Sequence, residues 1–311
     1  MKICILGAGG MGSLYGAHLS TVPGNEVWLV DVFKAHVDKI NSDGLCVECD
    51  GKDTYYKNVK AVTDSSEIGV CDLVVIFVKG TATRAAIEAN KNLFGEETMA
   101  LTVQNGLGNA EVIGSIIGYD NVACGTTEQG ARMLEPGKIL DMNKGKGKTV
   151  IGDVHGKVTP KIEKVGEALK TAGFETYVSE DVSGLIWDKL IVNVGINGCS
   201  AAMNLTNDEN WTIPEANAIH VAAVNEAIAV ARAKGVKLSY ADPLAHVKEV
   251  CGFTVGNQCS MLLDVLNNRP TEIDLINGAV VREGKKVGVP TPVNEVIVNI
   301  VKVKERKYNK N

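Results

Sequence analysis

Apolar and polar positions along the first half of the chain alternate between the periods of a strand and of a helix. Lys2–Leu6 is a short apolar run, followed by a glycine-rich turn and a helical pattern through Ser20. Glu26–Asp31 reads as a second strand, and Leu45–Tyr56 as a small hairpin around Asp50-Gly51. Asp72–Val78 is nearly uninterrupted in its apolar character, as strands covered on both faces of a parallel sheet are. The pattern then predicts a helix over 81–93, a strand over Thr98–Val103 and a helix over Asn109–Ile117. Further strands are expected at Asn121–Gly125, Thr149–Ile151 and Thr176–Val178, with a helix from Pro160 between the last two. This alternation predicts a doubly wound α/β sheet.

From Asp181 onward the strand signal fades. Helical periodicity covers 182–202, 214–234, 243–266, 271–287 and 291–307, punctuated by Gly235, Pro243, Pro270, Gly288 and Pro290. Two domains are therefore expected: a sheet domain over 1–180 that binds a dinucleotide, and an all-α domain over 181–311 for substrate binding and dimerisation. A length of 311 residues fits that division. The lysine-rich end, Lys302 to Lys310, reads as a solvated helix terminus and tail.

Composition narrows the function. The net charge of −5 argues against a general nucleic-acid binder. No apolar run approaches the ~20 residues of a membrane span, and glycines from Gly7 onward interrupt the only segment resembling a signal peptide. Eight scattered cysteines then suggest reduced thiols and a cytoplasmic protein. Cys46 and Cys49 form a CxxC, but with no second pair nearby and no helix to open, it reads as structural and no metal site is expected.

Glycine is abundant, 33 residues, and one cluster of it carries chemistry. Gly7-Ala8-Gly9-Gly10-Met11-Gly12 is a GxGxxG between a strand and a helix. The first glycine allows the tight turn, the second lets a pyrophosphate reach the backbone, and the third permits close helix–strand packing. The helix N-terminus offers N–H groups and the positive end of a dipole to phosphate. Asp31 ends the second strand 19 residues after Gly12, where an acidic residue bonds a ribose hydroxyl and repels a 2′-phosphate. NAD(H) is thus favoured over NADP(H), with Lys34 the one nearby cation that could partly compensate for a phosphate. Lys79 and Asn105 follow the next two strands, at the carboxyl ends where open sheets bind ligands. Each is also an ordinary turn residue.

The segment 182–202 is apolar almost all round, yet Lys189, Asn193, Asn197 and Ser200 lie at offsets 0, 4, 8 and 11, on one helical face. Such a stripe needs partners, water or ligand. A desolvated lysine there has its ammonium disfavoured and moves toward catalytic use. A snorkelling lysine with interhelical amide bonds explains the same pattern. Glu272 follows Arg269-Pro270-Thr271, where a helix start capped by Thr271 accounts for it through the dipole alone.

Taken together, the chain resembles the ketopantoate reductase family along nearly its whole length. The resemblance rests on the GxGxxG, Val78-Lys79, Gln104-Asn105-Gly106, and Ile186-Trp187-Asp188-Lys189-Leu190 with Asn193 and Asn197. It continues through Ser260-Met261-Leu262-Leu263-Asp264, Arg269-Pro270-Thr271-Glu272-Ile273-Asp274, Asn277-Gly278, and Gly288-Val289-Pro290-Thr291-Pro292. It implies a reductase of 2-oxo acids to D-2-hydroxy acids using a nicotinamide cofactor. Lys189 would then be the general acid/base and Glu272 would orient it or bind substrate. Asn193, Asn197 and Ser260 would hold substrate, with Asn105 near both ligands. Gly7, Gly9, Gly10, Met11, Gly12, Asp31 and Lys79 would bind the cofactor. A homodimer is implied too.

Asp31 stands where NADPH-using members carry a basic residue, Gly80 follows Lys79, and Leu263 replaces a frequent glutamine. Asp31 tilts the expected substrate toward C3-branched or aromatic acids of the D-mandelate dehydrogenase type. Reduction of 2-dehydropantoate for coenzyme A synthesis is the alternative. A β-hydroxy acid dehydrogenase would lack the Arg-Pro-Thr-Glu element, and a non-catalytic nucleotide sensor would not need the Lys189 stripe.

Overall fold

The computed structural model describes residues 1–308. The chain forms two compact units: Met1–Gln104 with Asn109–Val182, and Asn105–Gly108 with the chain from Ser183 onward.

The first unit holds β1 (Lys2–Leu6), α1 (Gly10–Leu19), β2 (Glu26–Val30), α2 (Lys34–Asp43), β3 (Leu45–Cys49), β4 (Lys52–Tyr56) and β5 (Val59–Val62). It continues with β6 (Leu73–Ile76), α3 (Thr83–Ala89), β7 (Met99–Thr102), α4 (Asn109–Ile117), β8 (Val122–Thr127), β9 (Ala131–Glu135) and β10 (Lys138–Asp141). β11 (Lys148–Asp153), α5 (Pro160–Thr171) and β12 (Glu175–Val178) complete it. Eight strands form one sheet in the order β12-β11-β8-β7-β6-β1-β2-β5. All neighbours run parallel except β8 and β11. The strand order reverses between β1 and β6, whose register pairs Ile3 with Leu73 and Leu6 with Ile76.

Both faces of this sheet are covered, which is why its central strands are apolar without alternation. Ile3, Ile5, Leu29, Val75 and Leu101 are buried on one face, and Cys4, Leu6, Val74, Ile76 and Ala100 on the other.

A second sheet, β4-β3-β10-β9, lies against α1. The β3–β4 hairpin matches the sequence reading, whereas β9 and β10 do not appear in it. They are short and half-exposed, and their turn, Pro136-Gly137, is the one local signal of their pairing. Gly137 has a φ of +79°, as the third residue of such a turn requires. The CxxC lies within β3 and opens no helix. α2 and β5 were likewise outside the expected elements. α2 is mostly polar and buries only His36, Val37 and Ile40.

The second unit is helical: α6 (Val182–Asn193), a π turn (Val194–Gly198), α7 (Cys199–Met203), α8 (Glu209–Thr212) and α9 (Pro214–Ala233). α10 (Pro243–Phe253), α11 (Ser260–Leu266), α12 (Asn277–Val287) and α13 (Pro292–Glu305) come after them. Its core joins Trp187, Leu190, Val194, Val224, Val247, Leu262, Val280 and Val301.

Two helices are shorter than the periodicity predicts. The stretch 243–266 breaks after Phe253, where the Thr254 hydroxyl donates back to the Val250 carbonyl and Gly256 adopts a φ of +73°. The Gly256 N–H then donates to the Asp208 carboxylate. The stretch 271–287 is helical only from Asn277. The lysine-rich end is not simply solvated: Lys304 donates to the Ala201 carbonyl and Lys302 pairs with Asp274 at 2.7 Å. Lys310 lies outside the described residues. No helix among the described residues is long and apolar enough to cross a membrane.

One buried polar knot links α1 to the sheet. The Tyr15 hydroxyl lies 3.2 Å from Thr127 Oγ1 and 3.0 Å from Thr149 Oγ1, and those two oxygens lie 2.9 Å apart. Burial pushes the Tyr15 phenol pKa up, so the hydroxyl keeps its proton. Tyr15→Phe is expected to cost about 1 kcal/mol of stability, because the two threonine hydroxyls can still bond each other. Urea denaturation should show a lower midpoint with unchanged slope. An unchanged midpoint would mean the hydroxyl contributes nothing net.

Candidate active site

The first group of candidate residues gathers where the sheet order reverses. Gly7 follows β1 with a φ of +93°, and a Cβ there would sit 2.5 Å from the Val78 backbone nitrogen. The first glycine is therefore needed both for its dihedral and for the close approach of the chain after β6. A Cβ on Gly12 would overlap the Gly7 carbonyl oxygen, and one on Gly10 would overlap the backbone of Ala131 in β9. Gly9 is different: a Cβ there would meet no protein atom within 4 Å. Packing does not demand glycine at that position, but a phosphate drawn to the backbone does. Gly9 is also the N-cap of α1 and supplies no capping side chain to the first-turn amides. Met11 lies in that first turn, half-buried. This cradle fits the pyrophosphate of a dinucleotide.

Asp31 lies against the turn. Its Oδ2 accepts the Ala8 N–H at 2.7 Å and its Oδ1 accepts the Phe33 N–H at 2.9 Å. The carboxylate thus ties the glycine turn to the end of β2, a role the sequence did not suggest. Each oxygen retains a second lone pair for a ribose hydroxyl. Val32, next to it, is 93% exposed, and Lys34 is held by Asp38 at 2.6 Å.

Beneath the turn, His36 Nδ1 accepts the Gly137 N–H at 2.8 Å. Its Nε2–H therefore faces Ser13 Oγ at 3.1 Å, and Ser13 in turn donates to the Ala8 carbonyl at 2.8 Å. Burial lowers the His36 pKa, which keeps the ring neutral. Sequence reasoning missed this relay, because its members come from α1, α2 and the β9–β10 turn. Lys79 is exposed just after β6. The Gln104 amide steadies this loop, donating to the Val78 carbonyl at 2.5 Å and to Thr83 Oγ1 at 3.0 Å.

The second group lies in the helical unit. Lys189 and Asn193 are half-buried on α6, and Asn197 is buried in the π turn. An α-helix turns ~100° per residue, and the extra residue of a π turn sets the subsequent residues back by about that angle. Asn197 therefore returns to within about 20° of the Lys189 direction, where an unbroken helix would carry it about 80° away. Ser200 moves the other way and leaves the stripe. It is fully buried, accepting the Asn210 Nδ2–H at 2.7 Å and, at its carbonyl, the Asn204 N–H at 2.7 Å. The polar face is thus three residues long. Within it, Asn193 Nδ2 is buried without a hydrogen-bond partner. A buried donor in that condition costs about 1–3 kcal/mol, which an oxygen of a bound acid would offset.

Glu272 lies in turns ahead of α12, not at a helix start. Thr271 caps no helix there: its Oγ1 accepts the Ile273 N–H at 3.3 Å within the turn, and its own N–H and hydroxyl both donate to Glu305 Oε1 at 2.7 Å. The dipole explanation for Glu272 therefore does not hold. Asn105 belongs to this unit as well. The Leu107 N–H donates to the Leu275 carbonyl at 2.8 Å, and a Cβ on Gly106 would sit 2.5 Å from that same oxygen. The Asn105 loop is thus seated on the turn that carries Glu272. Ser260 is the exposed first residue of α11, which Cys259 caps by accepting the Leu262 N–H.

Comparison with known proteins agrees over both units. The family model "Ketopantoate reductase PanE/ApbA" matches residues 3–156, and its C-terminal counterpart matches 181–305. The chain is 33% identical to a 2-dehydropantoate 2-reductase of Halobacterium salinarum, covering 98% of this chain and 99% of that one. It is 34% identical to one of Pyrococcus horikoshii, covering 98% of each. A ternary structure of D-mandelate dehydrogenase with NADH and anilino(oxo)acetate is similar at 30% identity and a TM-score of 0.90, over 99% of each chain. A PanE/ApbA family ketopantoate reductase from Ralstonia eutropha gives 31% identity and a TM-score of 0.90, also over 99% of each. The chain belongs to the ketopantoate reductase family of oxidoreductases.

Proposed function

We propose that this protein reduces 2-dehydropantoate to the D-configured 2-hydroxy acid with NADH. The observation that carries the substrate is the end-to-end relationship, at 33–34% identity, to 2-dehydropantoate 2-reductases. This reverses the weighting expected from the sequence, which placed aromatic and other C3-branched acids of the D-mandelate type first. The likeness to D-mandelate dehydrogenase still favours that second reading. The TM-scores do not separate the two, being 0.90 for each kind of neighbour.

When bound, the nicotinamide supplies a hydride to C2 of the oxo acid. Lys189 would stabilise the charge that develops on the C2 oxygen and deliver the proton that completes the hydroxyl. Glu272 would orient the Lys189 ammonium or bind substrate. Asn193, Asn197 and Ser260 would hold the acid, with Asn193 Nδ2 donating to one of its oxygens. Asn105 would approach both ligands, and Lys79 the cofactor. The choice of NADH rests on the surroundings of Asp31: a carboxylate repels a 2′-phosphate, Val32 is apolar, and Lys34 is already paired with Asp38. A cytoplasmic homodimer completes the proposal.

Three outcomes are expected. Lys189→Ala should lower kcat by about 10²–10⁴ while NADH affinity, monitored by nucleotide fluorescence, stays constant. A near-normal kcat removes Lys189 from the chemistry. With NADH, kcat/KM for 2-dehydropantoate should far exceed that for benzoylformate in one preparation; the opposite order would make this a D-mandelate-type enzyme. NADH should outperform NADPH at least about tenfold in kcat/KM, and parity would show that the Asp31 carboxylate does not read the ribose.

A further inference from the structure

We infer that His220 and Asn277 are positioning residues, which hold the π turn at Val194–Gly198 and so set where Asn193 and Asn197 face. The inference rests on the reading of those two asparagines as substrate ligands. A π turn replaces the i→i+4 ladder of an α-helix by i→i+5 bonds, leaving carbonyls at the transition to find other donors. Two carbonyls in succession do so here. The Gly195 carbonyl accepts from His220 Nδ1 at 3.0 Å, and the Val194 carbonyl accepts from Asn277 Nδ2 at 3.3 Å.

Each donor is itself fixed. A carbonyl can only accept, so His220 must carry its proton on Nδ1. Its Nε2, buried and without a partner, is then a bare lone pair instead of an unsatisfied N–H. Burial lowers the His220 pKa and keeps the ring neutral, as this tautomer requires. Asn277 Nδ2 also donates to Asn294 Oδ1 at 2.9 Å. Asn294 Nδ2 donates to Glu226 Oε2 at 2.7 Å and to the Ala223 carbonyl at 3.0 Å. The Glu226 carboxylate accepts the Val293 and Asn294 N–H groups at 2.9 and 3.0 Å. Both clamps therefore lead back to α9, one through His220 directly and one through Glu226, Asn294 and Asn277.

The glycines of the turn fit this arrangement. A Cβ on Gly195 would sit 2.9 Å from His220 Cε1 and 2.7 Å from Val224 Cγ2. A Cβ on Gly198 would overlap Asn277 Oδ1. The turn is glycine-rich on the sides from which the clamping side chains approach. Without those donors the two carbonyls would be buried unsatisfied, and a regular helix becomes the competing state. That state would carry Asn197 about 100° around the axis.

The test compares the wild type with Asn197→Ala, His220→Leu, His220→Asn and Asn277→Ala. It measures kcat and KM for 2-dehydropantoate at saturating NADH, the NADH dissociation constant, and hydrogen exchange over residues 190–203 of the protein alone. His220→Leu should raise KM about fivefold or more with NADH binding unchanged, and should speed exchange across the π turn. His220→Asn places an amide donor where Nδ1 stood, and should bring KM back to within about twofold of wild type. If His220→Leu does not fold, Asn277→Ala carries the same expectation through the Val194 carbonyl.

A purely structural role would lower the active fraction but leave KM alone, and that result overturns the inference. An unchanged KM in His220→Leu beside a raised KM in Asn197→Ala overturns the inference and leaves the functional reading intact. An unchanged KM in Asn197→Ala removes the reading and the inference with it.

Discussion

A helix enclosed on nearly every side cannot leave polar groups unanswered, and the second unit is arranged around that constraint. The segment from Val182 to Met203 is core material, yet it carries Lys189, Asn193, Asn197 and Ser200 and the surplus carbonyls of a π turn. Most of the carbonyls and Ser200 have their own answer. Ser200 turns inward to Asn210, Asn277 and His220 take the Val194 and Gly195 carbonyls, and Lys304 takes that of Ala201. Asn193 Nδ2 stays without a protein partner. In a segment where so much else is satisfied, that one donor is where a ligand oxygen gains most.

The first unit solves a different problem, which is to bring backbone close to phosphate. Gly7 lets the turn pass against Val78, Gly12 lets α1 close onto the turn, and Gly10 lets β9 lie over the helix start. These contacts and the relay from His36 through Ser13 to the Ala8 carbonyl hold the loop from below. The Ala8 N–H is held by Asp31. The carboxylate proposed to read the ribose thus also shapes the phosphate cradle, and replacing it would disturb both.

The central strands were legible because burial on two faces leaves only apolar residues to choose from. β9 and β10 were not, since half-exposed strands such as Ala131–Glu135 carry no such signature; the Pro136-Gly137 turn was the overlooked signal. The face shared by Lys189 and Asn193 was readable from helical spacing alone. The π turn was not, because its stabilising donors lie 25 and 83 residues away in sequence. Glu272 was placed in a helix that starts six residues too early, which supplied a dipole explanation that the turn at 273–276 withdraws. Residue types and local periods could be read directly, whereas features created by distant side chains could not.

This division also explains why the cofactor signal carries no weight in the choice of acid. Asp31, Val32 and the Lys34–Asp38 pair all belong to the first unit, whereas Lys189, Asn193, Asn197, Ser260 and Glu272 belong to the second. Nothing physical couples preference at a ribose hydroxyl to the bulk accepted at C3 of an oxo acid. The polar demands of the reaction, one developing oxyanion and one carboxylate, are the same for every 2-oxo acid. Apolar walls distinguish substrates by only about 1–3 kcal/mol per methylene. A backbone that superposes equally well on neighbours named for either substrate is what this chemistry leads one to expect. Asp31 therefore bears on the nucleotide alone, and the weight for the acid falls on the end-to-end kinship with the 2-dehydropantoate reductases.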